Sequence, residues 1–142
     1  MKSPLIAVMH PTHALANRDS LSIKDLSGFP MINFSPQANP ITSDFNKQIF
    51  KKAGAQLNIV REIPNIETAA FCASINEGVF IMPEYLLSSI GSLRTVPLTD
   101  SFAYVTLNLI WKKKNPNISI PVFVDSFSTY IQNRNPNLAP AD

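Results

Sequence analysis

The stretch Leu5-Ile6-Ala7-Val8-Met9, closed by His10-Pro11, is the natural place to begin. It is a continuous apolar run of strand length with no polar alternation. Such a run predicts a strand buried on both faces, as in a parallel sheet. Working outward, Ser22 can cap a short helix over 23–26 that Gly28 ends. Pro30 then introduces a strand over Met31-Ile32-Asn33-Phe34, followed by the turn-rich loop Ser35-Pro36-Gln37-Ala38-Asn39-Pro40. Thr42 or Ser43 is expected to cap the next helix, whose apolar stripe is Phe45, Ile49 and Ala53 and whose stop is Gly54.

Residues 57–62 read as a further strand. Asn65 is placed to cap a helix over 66–76, where Ile66, Ala69, Ala70 and Ala73 imply close packing on a sheet, and Gly78 is expected to end it. Val79-Phe80-Ile81-Met82 is a short strand of the buried type, and Pro83 suits the first turn of a helix through about Ile90. Two strands are expected over 93–98 and 106–111, the second from the alternation of Leu107, Leu109 and Trp111. Asn115-Pro116-Asn117 turns the chain. Ser119 then caps a last helix to about Gln132, with Val122, Phe123, Phe127, Tyr130 and Ile131 on its apolar side, and the tail from Asn133 is expected to fray. This alternation of strands and helices predicts an α/β layered fold.

The bulk numbers agree with one globular domain. The chain has 142 residues, 45% hydrophobic and only 15% charged, which is the composition of a packed core and not of a disordered segment. The net charge of +2 comes from scattered basic residues. The densest run, Lys112-Lys113-Lys114, reads as the solvated end of a strand, whereas a nucleic-acid binder concentrates its basic charge on one face. One cysteine excludes an internal disulfide. The apolar start is cut short at His10-Pro11 without a cleavage site, and no run approaches the length of a membrane span, so a cytoplasmic location is expected by elimination.

Catalytic and metal chemistry find little support. His10 and His13 have H-x-x-H spacing, but a zinc site needs about four ligands and no cysteine pair or third histidine supplies them. A turn explains the two histidines better. Cys72 lies among Ala69, Ala70, Phe71 and Ala73 with no resolving thiol, so it reads as a buried structural cysteine and not a redox sensor. Neither a nucleophile elbow nor a phosphate loop is present, and the carboxylates Asp44, Glu62, Glu67 and Glu84 stand singly. No catalytic residue, metal or cofactor is assigned, and the chain is read as a non-enzyme.

Several segments, taken in order, resemble a known family. Pro4-Leu5-Ile6-Ala7-Val8-Met9-His10-Pro11-Thr12-His13-Ala14-Leu15 is similar to the strand and His-Pro-x-His-x-Leu turn of LysR-type effector domains. Leu21-Ser22-Ile23-Lys24-Asp25-Leu26, Glu67-Thr68-Ala69, Glu77-Gly78-Val79-Phe80-Ile81-Met82-Pro83 and Leu109-Ile110-Trp111-Lys112-Lys113-Lys114-Asn115-Pro116 follow with the family's spacings. The resemblance implies a Rossmann-like lobe of a type 2 periplasmic-binding-protein fold, a mixed sheet with helices on both faces. It implies a partial effector domain over 1–133: a second lobe over about 10–103, crossover strands at about 4–9 and 106–111, a last helix over about 120–132 packing on a first lobe that is largely missing, and a frayed tail over 134–142. It also implies a small-molecule sensor of a bacterial transcription regulator, without its winged helix-turn-helix and so without direct DNA binding. The other reading weighed is a fragment of a two-lobed solute-binding protein.

In such a cleft, specificity comes from backbone amides and short polar side chains where strands end and helices begin, and a helix amino terminus favours an anion. The resemblance places ligand contacts at Phe34, Ser35, Pro36 and Thr42, at Asn65 and Ile66, and near Gly78 and Val79. Capping alone also accounts for Ser35, Thr42 and Asn65. The expected partners are a small carboxylate or other anion and further copies of the chain, since the apolar faces of 5–9 and of the last helix would lack their cover.

Overall fold

A computed structural model describes residues 2–112 and 116–134. The chain divides into two compact units: Pro4–Tyr104, and a second made of Met1–Ser3 with Val105–Asp142.

The first unit is built on β1 (Lys2–Met9), β2 (Pro30–Phe34), β3 (Asn58–Ile63), β4 (Phe80–Pro83) and β5 (Arg94–Pro97), with α1 (Pro40–Ala53) and α2 (Ile66–Ser74). Two 3-10 helices, Ile23–Leu26 and Glu84–Ser89, complete it. β1 lies between β4 and β5, and every residue from Leu5 to Met9 is buried. The double-sided burial expected of this run is present, but its neighbours are not parallel. β1 is antiparallel to β4, with Ile6 opposite Met82, and antiparallel to β5, with Ala7 opposite Val96. Apolar continuity reports cover on both faces and carries no information on strand direction, which explains the difference.

β2 and β3 are the parallel pair. They join the larger sheet through Val79, just ahead of β4: its amide donates to the Pro30 carbonyl at 2.9 Å and its carbonyl accepts from Ile32 N–H at 2.8 Å. Across this parallel bridge the strand order is β3-β2-β4-β1-β5, a mixed sheet. Beyond β5, Leu21 adds a one-residue parallel bridge at Leu98.

Helices cover both faces. Ile6, Val8, Ile32, Phe80 and Met82 point to one side, where Ala69, Cys72 and Ala73 of α2 and Ile90 pack on them. The small α2 residues let that helix approach closely, as expected. By strand alternation Leu5, Ala7, Met9, Met31 and Asn33 point to the other side, which α1 and the first 3-10 helix share. Burying side chains the size of Phe80 or Met82 contributes about 1.5–3 kcal/mol each, so this double layer dominates the stability of the unit.

The first 3-10 helix has the Ser22 cap expected of it, as a capping box: Ser22 Oγ accepts from Asp25 N–H while the Asp25 carboxylate accepts from Ser22 N–H at 2.7 Å. Those bonds hold the Asp25 carboxyl below its ordinary value. α1 starts earlier than expected. Its cap is Asn39, whose Oδ1 accepts from Thr42 N–H at 3.1 Å, and Pro40 occupies the first turn. Thr42 and Ser43 therefore lie inside the helix. The buried face of α1 is Ser43, Asn46, Ile49 and Phe50, not the stripe Phe45, Ile49 and Ala53, because polar residues of its first turns point inward.

α2 ends at Ser74, two residues short of the expected Asn76, which takes the left-handed conformation at φ 58°. Asn76, and not Gly78, thus carries the left-handed turn. Gly78 answers a different need, since a Cβ there would stand 2.7 Å from the Pro30 carbonyl oxygen. Pro83 caps the segment after β4, which winds as a 3-10 helix and not as the expected α-helix.

β6 (Tyr104–Thr106), whose last two residues belong to the second unit, pairs with β1, whose first two residues do as well. The strand expected over 106–111 is thereby displaced: pairing ends at Thr106, and 107–112 has no regular structure. The alternation of Leu107, Leu109 and Trp111 is a side-chain pattern, which does not by itself make a strand. α3 (Ser119–Arg134) follows; the Ser119 amide donates to Asn117 Oδ1 at 2.9 Å. The helix runs through Asn133, where fraying was expected. Val122, Phe123, Phe127 and Tyr130 of its apolar side are exposed, Phe123 stacking on Phe127 at 5.7 Å. Lys113, Lys114, Asn115, the side chains of Ile131 and Gln132, and the tail beyond Arg134 lie outside the described residues. No helix among the described residues is long and apolar enough to cross a membrane.

Replacing Gly78 by Ala is expected to cost about 1–3 kcal/mol in urea unfolding, because the obstacle is backbone and not a movable side chain. A cost below about 0.5 kcal/mol would show that β2 can yield at Pro30.

Candidate functional site

Parallel pairing of β2 with β3 brings two chain exits side by side. Phe34 is opposite Ile63, and Ser35 N–H donates to the Ile63 carbonyl at 2.9 Å. α1 follows the first exit and α2 the second, so both helices begin at the same edge of the sheet.

At the α1 exit, Ser35 Oγ accepts from Ala38 N–H at 3.1 Å, and the Ser35 carbonyl accepts from Ala38 and Asn39 N–H. These bonds fold residues 35–39 into a tight turn that delivers Asn39 to its capping position. With Thr42 N–H taken by Asn39 and no N–H on Pro40, the Ile41 amide is the first-turn donor presented outward. Ile41 is itself exposed. At the α2 exit, Asn65 Oδ1 accepts from Thr68 N–H at 2.9 Å and from the Thr68 hydroxyl at 2.7 Å. The two exits differ electrostatically. α2 has Glu67 in its first turn, which offsets the positive end of its dipole, whereas α1 has no acidic residue there. The positive end of the helix dipole is therefore less offset at α1 than at α2.

Six of the eight residues singled out from sequence lie together at this edge: Phe34, Ser35, Pro36 and Thr42 at one exit, Asn65 and Ile66 at the other. Ser35, Thr42 and Asn65 all take part in local turn or capping bonds. Gly78 and Val79 are not brought to this edge. Val79 pairs with Met31, near the start of β2, about 10 Å of strand from Phe34 at about 3.3 Å per residue, and it is fully buried. The carboxyl end of β4, which does reach this edge, carries Pro83, Glu84 and Tyr85 instead.

Beneath the α1 exit lies a polar cluster that the sequence reading did not single out. Asn33 is 1% exposed; its Nδ2 donates to Ser43 Oγ at 3.4 Å, and its Oδ1 accepts from Asn46 Nδ2 at 2.8 Å. These bonds fasten β2 to the first turns of α1. An asparagine in an otherwise apolar strand, with Ser43 and Asn46 three apart on one helix face, was the available signal.

His10 and His13 lie in consecutive turns, the reading preferred for them, with His13 N–H donating to the His10 carbonyl at 2.9 Å. Cys72 is buried; burial first, then its hydrogen bond with Glu77, pushes its thiol pKa up. Glu77 also pairs with Arg61 of β3, which holds its carboxyl down.

With this geometry in place, comparison with known proteins is direct. The LysR substrate binding domain family matches residues 1–130. The chain belongs to this family. Its members are the effector-binding domains of LysR-type transcriptional regulators, and the fold is the type 2 periplasmic-binding-protein kind. A curated relative is the uncharacterized HTH-type transcriptional regulator YwbI of Bacillus subtilis (strain 168), 26% identical over 115 residues, or 80% of this chain and 38% of that protein. The solved BenM effector binding domain with its effector benzoate superposes with a TM-score of 0.80 at 18% identity, covering 99% of this chain and 64% of that one. The effector binding domain of QuiR in complex with shikimate gives 0.65 at 19% identity, covering 93% and 63%. The chain thus spans about two fifths of the curated relative and under two thirds of each of these structures.

Asn33→Ala would leave the buried Asn46 amide without its acceptor. It is expected to lower stability by about 1–3 kcal/mol by denaturant titration. A change under about 0.5 kcal/mol would mean that water replaces the lost bond.

Proposed function

We propose that this LysR-type domain senses a small organic carboxylate, received at the edge where α1 and α2 begin. The observation that carries the reading is the convergence of two helix amino termini on adjacent parallel strand ends, one of them free of acidic residues in its first turn. Two structural relatives, BenM and QuiR, hold benzoate and shikimate, both carboxylates. Backbone amides at Ile41 and Ile66 would orient the carboxylate, and Phe34, Ser35 and Pro36 would shape the wall beside it. Gly78 and Val79 would act through the framework, by seating β4 against β2. A sensor of this kind responds to ligand only through differential affinity for two arrangements of the domain, and its output is regulatory, not catalytic. Contact with DNA would fall to other parts of a regulator, since the basic residues here are dispersed.

Calorimetric titration with benzoate and hydroxylated ring acids, beside the matching neutral amides, tests this reading. Acids are expected to bind and amides not. Asn39→Asp keeps the helix cap, because Asn and Asp cap equally well, yet sets a negative charge at the start of α1. Affinity for the acid is expected to fall by about tenfold, roughly 1.4 kcal/mol, with the melting temperature of the free protein unchanged or raised. Equal binding by the variant, or by acids and amides alike, would overturn the reading.

We also propose that the domain self-associates through the exposed stripe Val122, Phe123, Phe127 and Tyr130 of α3, an apolar face that water disfavours. Sedimentation analysis is expected to show a dimer or larger species that Phe123→Asp dissociates. A strictly monomeric wild type would sink the idea.

A further inference from the structure

We propose that the turn following β1 is an acid-released latch, in which the neutral His13 ring holds its segment by accepting the Leu15 amide proton and lets go when the ring is protonated. The Leu15 amide donates to His13 Nδ1 at 3.2 Å. A backbone N–H can only donate, so Nδ1 is the bare nitrogen and the ring proton sits on Nε2. A second proton would set N–H against N–H and turn an attraction into a repulsion. His10 is built the same way one turn earlier: its Nδ1 accepts from Thr12 N–H at 3.2 Å and lies 2.8 Å from Thr12 Oγ1.

The segment so held is wired to the sheet. Ala16 N–H donates to the His13 carbonyl at 2.9 Å, and the Ala16 carbonyl accepts from Arg94 Nε of β5 at 2.8 Å. Releasing Leu15 therefore loosens a chain of bonds that ends on the strand beside β1. The ring's surroundings favour its neutral form. The Phe29 ring packs on it at 5.4 Å and carries no charge. β5 contributes Arg94, and the ionisable groups of its own segment are His10, Arg18 and Asp19. Burial holds the His13 pKa below the usual imidazole value of 6.5. With the folded value below the unfolded one, the stabilisation is complete above the unfolded pKa and is lost as pH falls through the folded value.

The test is a pH titration of the whole chain between pH 8 and 5, followed by proton–nitrogen NMR and by thermal melting. At pH 8 the ring nitrogens of His13 are expected to report a proton on Nε2. On acidification, the protection of the Leu15 amide, its exchange rate taken relative to the base-catalysed rate of an open amide at the same pH, should fall by about tenfold or more, in step with ring protonation. His13→Asn retains a side-chain acceptor two residues before Leu15 and cannot titrate, so its melting temperature should fall less between pH 7.5 and 5 than that of the wild type. A ring proton on Nδ1 at pH 8, a Leu15 amide indifferent to the titration, or a variant with the full wild-type pH dependence would each overturn the proposal. If the variant does not fold, the wild-type NMR readings decide alone.

Discussion

Two hydrogen bonds at Val79 hold the first unit together as one sheet. One joins its amide to Pro30 and the other joins its carbonyl to Ile32, and between them they weld the parallel β2–β3 pair to the antiparallel strands around β1. The weld requires the backbone at Gly78 to pass so near Pro30 that a side chain has no room. Everything at the carboxyl edge inherits its position from this contact. β2 fixes where Ser35 leaves the sheet, β3 fixes where Asn65 does, and α1 and α2 start from those points. A constraint at one end of β2 thus sets the geometry presented at the other.

That arrangement explains which parts of the fold were legible in the sequence. Apolar runs 5–9 and 79–82 announced their strands, because burial on both faces leaves no polar residue to interrupt them. Ser22 and Asn65 announced their caps through side chains of the right length to take up an amide. The direction of β1 was hidden, since antiparallel and parallel neighbours bury an apolar strand equally well. The start of α1 was misplaced because Asn39-Pro40 was taken as loop, although an asparagine cap followed by proline in the first turn is itself a helix start. The strand expected over 106–111 shows the limit of alternation, which describes a side-chain pattern and cannot supply a pairing partner.

The candidate site was legible to the same degree and for the same reasons. Residues at strand exits could be named, since turn chemistry marks them. Gly78 and Val79 were grouped with them through family resemblance, and only the parallel register of β2 with Val79 puts them at the far end of the strand. The buried Asn33, Ser43 and Asn46 cluster went unnoticed because Asn33 lies 10 and 13 residues before its two partners and meets them only once α1 lies on β2. It supplies rigidity directly below the α1 exit, so buried side chains can govern the precision of the surface above them.

The central place of β1 also has a temporal side. Its partners in the sheet, β4 and β5, lie some 75–90 residues further along the chain. At a synthesis rate of about 5–20 residues per second, the strand waits on the order of 4–20 s on the ribosome before either edge can be paired. Throughout that interval a run of five apolar residues remains uncovered, and the pairings that would cover it carry the highest loop-closure cost in the unit. Within the first unit, then, the most adhesive segment is made well before the strands that protect it.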